Sequence, residues 1–313
     1  MDSNLPKQSL LCGGDFVRLA RLLTGGFLAG LTPHNSDQAA ADALLRLHPG
    51  NWRGSTAELA ALMAQTLGPR RTADWQRLAE EHLRMASEVA WTTLRGIGSQ
   101  SWCPTVEFEG ESKVRSALKA GRGAVFWCMY FSSPAALKQG FHQIGLPLVH
   151  LGSALHGTAS SSSRLATSVI SPLVCRSENR WLANRLVIPV SGSVSHLRRI
   201  RAYLQNNQCI SIISDTIGRQ QVELPFLGSH RRFSTGAPSL AWSENSALFS
   251  AHAIRTGPFQ YRVIVGEPIP VDQSLTRKEF VNTAVLEFAR RMEDLVERYP
   301  GDWQEWHAFK PGS

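Results

Sequence analysis

Residues 121–136 have the sequence GRGAVFWCMYFSSPAA, and this stretch decides the fold. It opens with a Gly-Arg-Gly turn, continues as an apolar run and ends at Ser132-Ser133-Pro134. A short apolar run between Gly and Ser/Pro predicts a buried strand of a parallel sheet, here residues 124–131. Pro134 suits the first turn of a following helix, with Ser132 or Ser133 as its N-cap. The segment from Tyr130 onward should therefore lie at the carboxyl end of a strand, where open α/β sheets bind ligands.

The rest of residues 101–313 alternates between strand-like and helix-like patterns. Such alternation predicts an α/β fold with a mixed, mostly parallel central sheet that is flanked by helices. Residues 248–254 and 261–265 should pair antiparallel through the turn at Thr256-Gly257-Pro258. The other predicted strands are 105–109, 124–131, 146–151, 186–190, 209–214 and 221–228. The predicted helices are 112–120, 134–144, 194–204, a short one from residue 235, and 276–299.

Residues 14–98 are predicted to be mostly helical. Ser55 and Glu58 have the spacing of a capping box, and Ser36 precedes a second helical pattern. In residues 71–96, apolar side chains recur at helical spacing, with charged residues between them. We predict a helical N-terminal portion, residues 1–100, packed on an α/β core of residues 101–313, the two together forming one structural domain.

The composition indicates a globular protein, and the spacing of its cysteines argues against disulfide and zinc sites. The chain has 313 residues, of which 43% are hydrophobic and 19% charged, and a formal net charge of +8. Basic charge fits an acidic carrier protein, an anionic lipid or a nucleic acid and does not choose among them. The five cysteines are scattered and lack C-x-x-C spacing, which argues against a disulfide framework and a zinc site. We expect no metal and a cytoplasmic location.

The most apolar early segment, residues 19–31, is interrupted by Thr24, Gly25, Gly26 and Gly30. It is shorter than the roughly 20 apolar residues that a membrane-spanning helix needs. The first residues also lack the basic region and apolar core of a signal peptide. We therefore expect contact with a membrane to be peripheral at most.

Several segments, in the same order, resemble the late acyltransferases of lipid A biosynthesis, which belong to the lysophospholipid acyltransferase superfamily. They are residues 121–136, YLQNNQCISIISDT at 203–216, VELPFLGSHRRFSTGAPSLA at 222–241 and YPGDWQEWH at 299–307. The matching positions in the second half are Asp215, Phe226, Gly228, Thr235, Gly236, Pro300, Trp303 and His307, with Arg164 as a further match. The resemblance covers roughly residues 70 to 307 and implies a lysophospholipid acyltransferase-like fold.

In that family a histidine acts as general base at the end of the central strand, and an acidic residue orients it. On this chain the histidine falls on Tyr130 and the acid on Ala135, while Phe131 keeps its place. Tyrosine, with an ordinary pKa near 10, is a poor base at neutral pH but a competent hydrogen-bond donor. The resemblance implies an acyl-CoA or acyl carrier protein thioester as donor substrate and no tightly bound cofactor.

We predict two sets of site residues. The catalytic candidates are Tyr130, Asp215, Ser132 and Ser133. The substrate-binding candidates are Arg164, His150, His156, Phe131, Thr235 and Gly236. His150 and His156 flank a serine-rich loop and are the alternative bases, although neither has an acid at a useful spacing in the sequence. The Arg198, Arg199 and Arg201 cluster is either a solvated helix face or a docking patch for an acidic carrier.

The predicted function is transfer of an acyl group from a carrier-protein or CoA thioester to a nucleophilic small molecule in a biosynthetic pathway. The acceptor would be an amine or a hydroxyl compound. A neutral amine is already nucleophilic and needs less assistance from a general base than an alcohol does, so it suits a site that lacks the histidine. The alternative is a catalytically inactive subunit that binds an acyl chain or a carrier protein, in which Tyr130 is a packed aromatic. A third possibility is a different chemistry at the same place. We expect no nucleic acid partner, and the oligomeric state stays open.

Overall fold

The computed structural model describes residues 9–47, 54–68, 73–99, 102–153, 155–157, 162–188, 195–214 and 220–311. The N-terminal portion is helical, as predicted. Its helices are α1 (Asp15–Leu31), α2 (Asp37–Leu47), α3 (Thr56–Leu67) and α4 (Trp75–Gly98). Helix α3 begins with the predicted capping box, in which Ser55 accepts from Glu58 N–H and Glu58 accepts from Ser55 N–H.

From residue 105 strands and helices alternate. In chain order they are β1 (Thr105–Glu109), α5 (Glu111–Leu118), β2 (Ala124–Cys128), α6 (Pro134–Gln143), β3 (Leu148–Ser153), α7 (Ser171–Asn179), β4 (Leu182–Ile188), α8 (Ser195–Gln205), β5 (Cys209–Ile213), β6 (Gln221–Phe226), β7 (Ser229–Ser234), α9 (Gly236–Glu244), β8 (Ala247–Gly257), β9 (Gln260–Ile269) and α10 (Arg277–Arg298). A π-helical turn, Ala166–Ile170, precedes α7, and short 3₁₀ segments follow α10 at Pro300–Asp302 and Gln304–His307.

Within the described residues, seven strands form the central sheet in the order β1-β9-β8-β2-β5-β3-β4. All neighbouring pairs are parallel except β8 and β9, which pair antiparallel as predicted. The fold is therefore α/β with a mostly parallel sheet, flanking helices and a helical N-terminal region. Strands β6 and β7 form a separate antiparallel hairpin. Because β2, β5 and β3 are parallel neighbours, their carboxyl ends meet at one edge of the sheet.

Both faces of the sheet are buried. On one face, Trp127 of β2 stacks on Phe288 of α10 with ring centroids 3.8 Å apart, in a core that also includes residues of α3 and α4. On the other face, Phe126 of β2 contacts Phe141 of α6. This second core, between the sheet and helices α5 and α6, lies directly below the candidate site.

Four elements differ from the predictions, and one of them is β4, which begins at Leu182 rather than at residue 186. Strand β2 ends at Cys128 rather than at residue 131, because Phe131 forms an antiparallel bridge with Trp303 and Ser132 has a φ of 37° that extended structure does not allow. Strand β7 was not predicted. It follows a two-residue hairpin turn in which Leu227 and Gly228 both have positive φ. Helix α7 was not predicted at all.

Helix α1 lies close to α4 because both carry glycine at the contact. A Cβ on Gly98 would lie 1.9 Å from the carbonyl oxygen of Gly26, so only glycine permits this approach of the two backbones. The small side of α1 is therefore buried, and its large apolar side chains face outward. Exposed apolar residues of α1 are Phe16, Val17, Leu23, Phe27, Leu28 and Leu31. Among the described helices, none is both long and apolar enough to cross a membrane.

Candidate functional site

The turn after β2 is the first part of the site, and its conformation is held from two sides. The Ser133 hydroxyl accepts from Ala136 N–H and caps α6, whose first residue is Pro134. On the other side, Ser132 N–H donates to the carbonyl of Asp302 at 2.7 Å, and Gln304 N–H donates to the carbonyl of Tyr130 at 3.1 Å. The C-terminal segment therefore fixes the direction in which the turn leaves the sheet.

A small pocket opens beside this turn, between the sheet and α6. Its partly exposed members, Tyr130, Pro134 and Ile213, form the mouth. Lys138, His150 and Ser211 are buried and form a polar floor. The remaining lining is apolar and consists of Cys128, Met129, Phe131 and Leu137. The enclosed volume is about 10 Å³, enough for about one water molecule.

The polar floor follows from the strand register. Phe249, Phe126, Ser211, His150 and Arg185 occupy matching positions on β8, β2, β5, β3 and β4, and so lie in one row across the sheet. The row is aromatic at the β8 end, where Phe249 and Phe126 stack. It becomes polar at β5, where the Ser211 hydroxyl lies 2.9 Å from Nδ1 of His150.

Glu178 of α7 is the centre of a buried charge cluster above this row. Its Oε2 accepts from Lys138 Nζ at 2.5 Å and from Arg185 Nη2 at 2.5 Å. Its Oε1 lies 3.3 Å from Nε2 of His156, in the turn that follows β3. We call Lys138, His156, Glu178 and Arg185 the Glu178 cluster. It joins α6, the turn after β3, α7 and β4.

The electrostatics of the cluster follow from its burial. Burial raises the pKa of Glu178, but Lys138, His156 and Arg185 outweigh this effect and hold it well below the ordinary value. Burial lowers the pKa of Lys138, which Glu178 partly opposes. Burial, together with the charges of Lys138 and Arg185, lowers the pKa of His150 well below its ordinary value. His150 is therefore a neutral imidazole at pH 7 and resists protonation.

Cys128 lines the pocket but does not supply a nucleophile. Burial raises the pKa of its thiol to about 12, although Lys138 opposes the shift. A thiol with such a pKa is fully protonated at neutral pH, and the thiolate is the reactive form. Among the described residues, no group of three or more His, Cys, Asp or Glu side chains is arranged to hold a metal ion.

A second set of buried polar residues lies near Phe131. The ring of His252, on β8, has its centroid 6.1 Å from that of Phe131. Neither ring nitrogen of His252 has a hydrogen-bond partner within the part of the chain that the structure describes. Burial, then the charge of Arg298, lowers the pKa of His252 to about 4. Burial raises the pKa of Asp302 to about 6, although the backbone N–H of Arg255 and the hydroxyl of Ser132 oppose this shift.

The structure brings some of the predicted site residues together and separates others. Tyr130, Phe131 and His150 line the pocket, and His156 belongs to the adjoining Glu178 cluster. Ser132 and Ser133 are buried in the turn, with Ser133 serving as the cap.

The remaining predicted residues lie elsewhere. Arg164 is exposed and is not part of the pocket lining. Thr235 and Gly236 begin α9, next to the separate hairpin, where the Thr235 hydroxyl donates to the carbonyl of Gln220. Asp215 lies outside the described residues. In the basic helix α8, Arg198 and Arg199 are exposed, while Arg201 pairs with Glu244 at 2.9 Å.

Lys138, Glu178 and Arg185 were not among the predicted site residues. Two features of the sequence indicate Lys138 and Glu178. Lys138 is the one lysine or arginine in the apolar helix α6, PAALKQGFHQ. Glu178 is the only acidic residue between Glu111 and Asp215, a stretch that contains twelve lysines and arginines. Neither His150 nor His156 has an acid at a useful spacing in the sequence, but folding places Glu178 beside His156.

No family model and no curated protein matches this chain. Among solved structures, it is similar to the crystal structure of the 1-acyl-sn-glycerophosphate acyltransferase PlsC from Thermotoga maritima. The match covers 90% of this chain and 98% of the other, with 11% sequence identity and a TM-score of 0.38. A likeness this distant says nothing about activity, so the function has to follow from the site itself.

Proposed function

We propose that this protein transfers an acyl group from a CoA or carrier-protein thioester to a small amine or hydroxyl compound. The observation that carries the proposal is the contact between His156 Nε2 and Glu178 Oε1 at 3.3 Å. A carboxylate that accepts a hydrogen bond from one ring nitrogen fixes the tautomer of the imidazole and leaves the other nitrogen as a base. The chain thus has a histidine–carboxylate pair, although not at the positions that the sequence resemblance indicates.

The pair lies beside the pocket, because Lys138 contacts Glu178 and also lines the pocket floor. With Nε2–H donating to Glu178, Nδ1 of His156 can accept the proton of the acceptor as its nitrogen or oxygen attacks the thioester carbon. The carbon–sulfur bond then breaks, and the protonated imidazole returns the proton to the leaving thiolate. No net proton is gained or lost by the protein.

Tyr130 has the place and the chemistry of an oxyanion donor in this scheme. It is partly exposed at the pocket mouth, directly after the central strand. A phenol hydroxyl can donate a hydrogen bond to the carbonyl oxygen as negative charge develops on it, which lowers the barrier. The side chains around it are mostly apolar, which lowers the local dielectric and strengthens such a hydrogen bond.

The test is an assay of thiol release and product mass. The purified protein is incubated with acyl-CoA and acyl carrier protein thioesters of several chain lengths, together with amine, hydroxylamine and alcohol acceptors. We expect thiol release that depends on the acceptor, with a product that has gained the mass of the acyl group. His156→Gln should lower turnover by roughly 100- to 10,000-fold, as loss of a general base commonly does.

His230→Gln is the matched control, because His230 is exposed on β7, away from the pocket. Its turnover should equal that of the parent. The proposal would be overturned by a protein that binds thioesters but transfers no acyl group to any acceptor. That result would favour the alternative of an inactive binding subunit. Equal activity of His156→Gln and His230→Gln would remove His156 from the mechanism.

A further inference from the structure

Glu178 is held from two sides at one of its oxygens. Its Oε2 accepts from Nζ of Lys138 on α6 and from Nη2 of Arg185 on β4, each at 2.5 Å. Its Oε1 lies 3.3 Å from Nε2 of His156. A carboxylate with a single contact can rotate about its terminal torsion, whereas two donors from separate elements on one oxygen define where the other oxygen points. The contact with His156 therefore depends on what holds Oε2.

Charge balance does not account for Lys138. Arg185 alone offsets the single negative charge of Glu178, and Nε of Arg185 is itself tied to the side-chain oxygen of Asn179 at 2.6 Å. Lys138 brings a second cation into this place, where its side chain is only 2% exposed. Burial of a charge is costly, and a buried ion pair adds little net stability. What Lys138 adds to Arg185 is a second fixed direction for the carboxylate.

Lys138 also joins the two halves of the site. It lies on α6, whose first turn is capped by Ser133, in the turn that carries Tyr130. Glu178 lies on α7, and His156 lies in the turn after β3. The ammonium group therefore links the helix next to Tyr130 to the histidine–carboxylate pair. Catalytic groups need such a link, because a displacement of about 1 Å can cost roughly 100-fold in rate.

We propose that Lys138 is a positioning residue, which holds Oε2 of Glu178 so that Oε1 stays on His156. This inference rests on the proposed function, in which His156 is the base and Tyr130 the oxyanion donor. In this role Lys138 acts through Glu178 and does not contact the substrate. It fixes the tautomer of the imidazole and the place of the imidazole relative to Tyr130.

The contact can be tested without catalysis. Protein labelled with ¹⁵N in histidine gives the chemical shifts of both ring nitrogens of His156, which are assigned by their loss in His156→Gln. At about pH 8, above the ordinary pKa of an imidazole, the parent should show Nε2 as the protonated nitrogen and Nδ1 as the unprotonated one. In Lys138→Met the two shifts should move towards each other, because the imidazole then exchanges between its tautomers.

Lys113→Met is the matched control. Lys113 also pairs with a glutamate, Glu267 at 2.7 Å, but on the surface, so this variant should reproduce the nitrogen shifts of the parent. Lys138→Met should stay folded, because Glu178 keeps Arg185 as its counter-charge. If it does not fold, Lys138→Gln takes its place with the same expected result. The glutamine side chain is one atom shorter and cannot hold Oε2 in the same way.

Turnover is the second readout. Lys138→Met should lower kcat by roughly 10- to 100-fold and leave KM within about twofold of the parent, because the base is displaced while contacts with the substrate are kept. Lys113→Met should leave both constants unchanged. A merely structural role would lower the melting temperature of Lys138→Met without changing the nitrogen shifts or the kcat of the folded protein.

The two measurements separate failure of this inference from failure of the proposed function. Unchanged nitrogen shifts in Lys138→Met, or an unchanged kcat in an active protein, would overturn the positioning role. An increase in KM at constant kcat would overturn it as well, since Lys138 would then be a substrate contact. Nitrogen shifts that move in Lys138→Met, in a protein that transfers no acyl group, would instead keep the contact and remove the function.

Discussion

Ser132 N–H donates to the carbonyl oxygen of Asp302 at 2.7 Å, so the C-terminal segment holds the turn that follows the central strand. This contact explains how Ser132 keeps a φ of 37°, a value that costs a non-glycine residue roughly 1–3 kcal/mol. The side chain of Gln304 reinforces it by donating from Nε2 to the carbonyl of Ser132. Residues 299–307 thus position Tyr130 at the pocket mouth without lining the pocket themselves.

Gln304→Ala should lower the free energy of unfolding by roughly 1–2 kcal/mol, because the carbonyl of the buried residue Ser132 loses its donor. Gln273→Ala is the control. Its side chain also donates to a backbone carbonyl, that of Trp242 at 2.9 Å, but it is exposed. Water can replace that bond, so its loss should cost only a few tenths of a kcal/mol. Urea titration of both variants measures the difference. Equal losses would show that Gln304 does not hold the turn.

The fold could be predicted largely because its signals are local. The apolar run of β2, the Ser133-Pro134 start of α6 and the Ser55-Glu58 capping box are each set by neighbouring residues. Strand β7 escaped prediction because all but one of its six residues, SHRRFS, are polar. The hairpin became clear only from the positive φ values of Leu227 and Gly228.

The site could be predicted only in part, because its chemistry depends on contacts between distant elements. The position of Tyr130 follows from the rule that ligands bind at the carboxyl ends of parallel strands. The pairing of His156 with Glu178 does not, since it requires β3 and α7 to meet. The row from Phe126 to Arg185 depends on strand order, which the sequence alone does not determine.

The second prediction concerns acid stability. His252 has a pKa of about 4 in the folded protein, against an ordinary value of 6.5. Between these values the unfolded chain binds a proton at this residue and the folded protein does not. Stability should therefore fall as the pH drops from 6.5 to 4, by roughly 3 kcal/mol for this residue alone. His82, with a pKa of about 4, adds to the fall, while Asp302, with a pKa of about 6, opposes it.

His252→Phe isolates the contribution of His252, since His82 and Asp302 are unchanged in the variant. The stability of the variant relative to the parent should rise as the pH is lowered from 7 to 4.5, as measured by urea unfolding at each pH. For His230→Phe, at an exposed position, the difference in stability from the parent should be the same at every pH. A constant difference between His252→Phe and the parent would show that His252 is protonated equally in both states.

The third prediction concerns the outer face of α1. Phe16, Phe27 and Leu31 are exposed there, while Gly26 and Ala29 face α4. A helix with an apolar outer face can lie in the interfacial region of a bilayer without crossing it. We expect the protein to co-sediment with anionic vesicles, and Phe16→Glu with Phe27→Glu to abolish this without changing the melting temperature. Leu286→Glu, at an exposed apolar position of α10, is the control and should still co-sediment. Concentration-dependent self-association without vesicle binding would contradict the membrane expectation.

The last prediction concerns Tyr130, which follows strand β2 and lines the mouth of the pocket. Tyr130→Phe keeps the ring and removes only the hydroxyl, so the fold should be preserved. If the hydroxyl donates to the developing oxyanion, turnover should fall by roughly 10- to 1000-fold with little change in KM. Tyr203→Phe is the control. It removes a hydroxyl that is bonded to Asn184, and it should leave turnover unchanged. A Tyr130→Phe protein with parental turnover would reduce Tyr130 to packing, and the oxyanion donor would then have to be sought on the pocket floor, with Lys138 as the first candidate.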